Sequence, residues 1–129
     1  MRLRLSLMLA VGGCASFRSA QPVRLGGSYA VQLAVTGKST YTGTFSNRWM
    51  RDSTSGSLKL VSPLAVDVAI RGAQIGDTLR LRGNYSAANG CTGSFEAAVG
   101  SAPDVAARGP FTLNDRCAGV LGGVMELRR

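Results

Sequence analysis

The sequence predicts an all-β protein: an eight-stranded antiparallel up-and-down meander closed into a barrel, with a β-sandwich as the alternative. Apolar and polar residues alternate with period two in eight short runs. Turn residues separate these runs. No helical stripe of useful length follows the first residues.

The runs follow one another closely. "SYAVQLAV" sets Tyr29, Val31, Leu33 and Val35 against Ala30, Gln32 and Ala34, and "STYTGTFS" sets Tyr41, Gly43 and Phe45 against threonines. "GSLKLV" opposes Leu58 and Leu60 to Lys59, and "LAVDVAIR" opposes Leu64, Val66, Val68 and Ile70 to Asp67 and Arg71. "DTLRLRGNY" sets Leu79 and Leu81 against Arg80 and Arg82, and "CTGSFEAAV" sets Phe95, Ala97 and Val99 against Ser94 and Glu96. "GPFTLND" carries Phe111 and Leu113 on one face, and "CAGVLGGVMELR" carries Leu121, Met125 and Leu127.

Period two buries one face and wets the other, which implies antiparallel pairing. Short connections favour sequential neighbours, and closure removes the open edges of such a meander. The expected core is Tyr29, Leu33, Leu58, Val68, Leu81, Phe95, Phe111 and Met125. "YTGTF", "CTGSF" and "CAGVL" each place a glycine where a strand is expected, and mid-strand glycines help a sheet curl. The layout resembles the calycin-type barrels, lipocalins and avidins, including the opening Gly27-Ser28-Tyr29. Tyr29 stands where the lipocalin Gly-x-Trp opening has tryptophan, and no ligand residues carry over.

The N-terminus reads differently. Arg2 and Arg4 precede an apolar run from Leu5 to Val11, then Gly12 and Gly13, then Cys14. Positive, apolar, then small is the order of a secretory signal. Seven helical residues reach only about 10 Å, far short of the ~30 Å hydrocarbon core, so the run does not span a membrane. Val11-Gly12-Gly13-Cys14 resembles the lipobox of bacterial lipoproteins. That resemblance implies cleavage before Cys14, a thioether-linked diacylglycerol on its sulfur and an acylated amino terminus. The expected division is a signal peptide at 1–13, a lipidated cysteine and flexible tether at 14–25, and a barrel domain at 26–129. The expected location is the bacterial cell envelope, facing the periplasm.

Composition narrows the function. Without Arg2 and Arg4, thirteen basic residues stand against seven acidic ones, a net charge of +6. Arg48, Arg51, Arg71, Arg80, Arg82, Arg108 and Arg116 are scattered singly and form no nucleic-acid-binding signature, so no nucleic-acid partner is expected. There is no histidine to act as a general base or metal ligand. Asp77, Asp104 and Asp115 sit in turn contexts, where Asp caps its own backbone. No catalytic residues, no metal site and no cofactor are expected, and the protein reads as non-enzymatic.

With Cys14 given to lipid, Cys91 and Cys117 remain, and an oxidising compartment favours a disulfide between them. Such a bridge needs Cα atoms about 5.5 Å apart. Cys-x-x-Cys spacing, the usual redox arrangement, is not present. Trp49 and Met50, in the polar and basic stretch "SNRWMRDSTSG", are candidates either for packing at the barrel rim or for contacting a ligand or partner. Lys59, Arg71, Arg80 and Arg82 fall on the outward face of three consecutive runs, and the expectation is one basic patch relieved by Asp67. Those outward charges also argue against an outer-membrane β-barrel, whose lipid-facing surface is apolar. The expected function is a lipid-anchored barrel with a binding or structural role. The alternative is a lipocalin-like carrier of a small apolar ligand, and the volume left inside the barrel separates the two.

Overall fold

The computed structural model describes residues 25–129. The expected signal peptide and the expected tether up to residue 24, with Cys14, lie outside the described residues. Eight strands follow one another: β1 (Gly27–Val35), β2 (Thr40–Met50), β3 (Ser53–Ser62), β4 (Val66–Ile75), β5 (Thr78–Ala87), β6 (Thr92–Val99), β7 (Ala107–Asp115) and β8 (Gly119–Arg128). Each pairs antiparallel with the next, and β1 pairs antiparallel with β8, so the sheet is a closed barrel and not a sandwich.

The inward faces are those set by the alternation. Tyr29, Val31, Leu33 and Val35 of β1 are buried, and so are Leu58 and Leu60, Val68 and Ile70, Leu79 and Leu81, Phe95 and Val99, and Met125 and Leu127. All eight expected core residues are buried. Phe95 and Phe111 stack near the centre with ring centroids 6.3 Å apart. Burying a large apolar side chain contributes about 1.5–3 kcal/mol, so this lining dominates the stability of a chain with no helices among its described residues.

Mid-strand glycines let neighbouring backbones approach. A Cβ at Gly43 would lie 1.9 Å from the Lys59 carbonyl oxygen, and one at Gly109 would lie 1.8 Å from that of Ala98. Gly119 differs from the mid-strand expectation. It is the first residue of β8 with φ 85°, a turn residue whose left-handed backbone favours glycine. Leu64 also differs, because β4 begins at Val66 and Leu64 lies half-buried in the β3–β4 connection.

The meander gives the barrel two unlike ends. At the proximal end the chain enters at Leu25 and leaves after Arg128, and the β2–β3, β4–β5 and β6–β7 connections turn there. At the distal end lie the β1–β2, β3–β4, β5–β6 and β7–β8 connections.

Candidate functional site

The proximal end is plugged. Leu25 is only 4% exposed and joins the core, although the sequence places it at the end of the tether. Its carbonyl accepts hydrogen bonds from the Trp49 indole N–H and, at 2.8 Å, from Asn47 Nδ2. Asn47 Nδ2 also donates to Thr54 Oγ1 at 2.8 Å, and the Thr54 hydroxyl donates to the Arg48 carbonyl at 2.9 Å. This satisfies Thr54, the buried polar residue of the core. Trp49 therefore packs half-buried at the closed end. Met50, its neighbour, points outward and is 75% exposed.

The distal end is recessed. A cavity of about 140 Å³ lies there. Leu33, Leu58, Val68 and Phe95 line it from the core side, and Tyr41, Leu64, Asn89 and Leu121 line it towards the connections. The Cys91–Cys117 disulfide forms part of its wall, with a Cα–Cα distance of 5.9 Å. Both cysteines lie in connections just before β6 and β8, so the bridge reaches past β7 from turn to turn.

One polar pair stands in the same wall. The Tyr85 hydroxyl donates to Asp115 Oδ2, while Asp115 Oδ1 accepts from the backbone N–H of Cys117 at 2.8 Å and of Ala118 at 2.9 Å. The Tyr85 hydrogen bond, followed by those backbone donors, holds the Asp115 carboxyl below the usual carboxylate range against the opposing effect of burial. Burial first, then the Asp115 carboxylate, pushes the Tyr85 phenol up. The two cysteine sulfurs and an Asp115 oxygen lie within 4.8 Å of one another. The disulfide removes the thiolate character that a metal ligand needs.

The four outward basic residues divide. Arg71 faces Arg82 across β4 and β5, and Arg80 lies two residues from Arg82 on β5. Lys59 instead faces Asp67 across β3 and β4, four residues from Arg71. Arg71, Arg80 and Arg82 thus form one group, and Lys59 is set apart beside a carboxylate. The alternation shows which face a residue takes, but the register decides its neighbours.

The distal recess and the Tyr85–Asp115 pair escaped the sequence reading. The pair is separated by 30 positions and needs the barrel's curvature to meet. A recess is unfilled space, which no residue pattern encodes. No protein-family model, curated protein or solved structure matches this chain.

Proposed function

We propose that this protein is a lipid-anchored, non-enzymatic barrel of the bacterial cell envelope that binds one small apolar molecule at its distal mouth. The apolar recess at the end opposite the chain entry carries this reading. Its ~140 Å³ is close to the ~150 Å³ of a protein cavity that takes up benzene. Eight-stranded barrels have an interior that is just filled or holds one small ligand, and here the proximal part is packed while the distal part is not. A lipid anchor at Cys14 would join the barrel through Leu25, at the end opposite the mouth, and would leave the mouth unobstructed.

Native mass spectrometry of the protein taken from its own envelope tests both parts. The expected spectrum carries the mass of an acylated Cys14 and a retained apolar ligand. Cys14→Ala is expected to move the folded protein out of the membrane fraction, and retention after a carbonate wash overturns the anchor. Ala87→Leu, which narrows the recess from the end of β5, is expected to weaken binding of a small apolar fluorophore at least tenfold with the fold intact. Unchanged fluorophore binding overturns the distal site.

A further inference from the structure

The outer wall of the barrel carries its charge unevenly. One row of residues facing each other across the strands runs Arg48, Ser55, Arg71, Arg82 and Glu96. The next row towards the proximal end runs Met50, Ser53, Ala73 and Arg80. Strands lie ~4.8 Å apart and like-facing residues of one strand ~6.8 Å apart, so these arginines crowd a small area. Glu96 is the one carboxylate in the two rows. None of Arg48, Arg71, Arg80 and Arg82 joins a salt bridge among the described residues. Towards the distal end the following row is uncharged, with Ser46, Ser57, Ala69, Asn84 and Ser94, and beyond it Lys59 is opposed by Asp67.

The shape and the apolar rim are as informative as the charge. The small side chains of Ser53, Ser55 and Ala73 leave a depression of about 790 Å³ on the wall, edged by Arg71, Arg80 and Arg82. Met50 and Ile75 border the same depression and are 75% and 58% exposed. They sit on neighbouring hairpin tips at the proximal end, tied by the Gln74 N–H donating to the Asp52 carbonyl at 3.2 Å. Directly opposed like charges destabilise a sheet, and the Arg71–Arg82 pair is such a case. Nothing in the folding of the barrel requires that pair, or two exposed apolar tips beside it.

We infer that this face docks on an anionic lipid surface, with Arg71, Arg80 and Arg82 taking phosphate-bearing head groups and Met50 and Ile75 entering the interface. The charge is complementary to such a surface, and apolar tips beside arginines suit the boundary between head groups and acyl chains. The chain outside the described residues points the same way. From Cys14 to Leu25 is at most about 40 Å of extended chain, and it joins the barrel at the end where Met50 and Ile75 lie. The inference rests on the lipid-anchor reading for its orientation, but it is tested without the anchor.

The test uses the chain from residue 14 onward carrying Cys14→Ala, without the apolar leader, sedimented with vesicles of phosphatidylcholine alone or mixed with phosphatidylglycerol. Binding is expected to favour the anionic vesicles and to fall with salt. Combined Arg71→Gln, Arg80→Gln and Arg82→Gln substitutions are expected to weaken it on the order of a hundredfold, about fivefold for each arginine. Lys38→Gln with Arg116→Gln, which removes charge at the distal end, is the control and is expected to change binding far less. Met50→Ser with Ile75→Ser is expected to lower binding while leaving the salt dependence intact. Equal binding to both vesicle types overturns the inference, and so does an equal loss in the distal control. Displacement by millimolar inorganic phosphate beyond that caused by sodium chloride of equal ionic strength also overturns it, assigning the face to a soluble anion. The anchor itself is read separately, by whether Cys14→Ala leaves the membrane fraction after a salt and carbonate wash that strips peripheral binding.

Discussion

At the scale of single residues, the Tyr85–Asp115 hydrogen bond contributes to stability in opposite senses at the two extremes of pH. Asp115 has its carboxyl pKa lowered in the folded state. Its contribution is therefore complete above the unfolded value of about 3.9 and is lost as the pH falls through the lower folded value. Glu126 is lowered too, by the Arg128 and Arg108 guanidinium groups it accepts from at 3.0 Å and 2.9 Å, and adds to the same acid flank. Tyr85 is shifted the other way, upward. Its contribution is complete below the unfolded value of about 10 and is lost as the pH rises through the folded one. Tyr85→Phe is expected to cost about 1 kcal/mol at neutral pH, since Asp115 keeps its two backbone donors. It should also flatten the alkaline flank. Thermal melts of both proteins between pH 3 and pH 11 check this, and an alkaline flank of the same steepness in Tyr85→Phe counts against it.

At the scale of elements, the barrel depends on where its strands lack side chains. Gly109 of β7 lies against Ala98 of β6 so closely that a Cβ would overlap the Ala98 carbonyl oxygen at 1.8 Å. Gly109→Ala must therefore move a strand, not a flexible side chain, and is expected to cost about 3 kcal/mol. Gly122→Ala makes a good comparison, because a Cβ there would meet the Phe111 carbonyl at an ordinary 3.5 Å. Urea denaturation of the two variants checks the contrast, and equal midpoints would sink it. The strands themselves were legible in the sequence because period two is a local signal that each run carries alone. Leu25 was not legible as a plug, since Val23 and Leu25 around Arg24 are too short an alternation to place between Pro22 and Gly26. Leu64 was misplaced for a related reason, as it continues the alternation of Val66, Val68 and Ile70 backwards into a turn. The arginine rows needed the cross-strand register, which alternation does not contain.

At the scale of the whole molecule, the meander separates two ends that have little in common. The proximal end is held by Leu25 and Trp49 and edged by the basic wall, while the distal end holds the recess and the disulfide. The disulfide spans 26 positions, and constraining a loop of that length in the unfolded chain contributes roughly 3 kcal/mol. Cys91→Ser with Cys117→Ser is expected to lower the melting temperature by about 12–24 °C, at about 4–8 °C for each kcal/mol in a domain of this size. Both cysteines also line the recess, so fluorophore binding at the mouth should weaken in the folded variant at low temperature. Vesicle binding should not change, because Arg71, Arg80 and Arg82 lie on β4 and β5 and touch neither cysteine's connection. Measuring the two activities side by side in the double-serine protein tests that independence. If both fall together while circular dichroism reports an intact sheet, the two ends are coupled through the barrel wall and do not act separately.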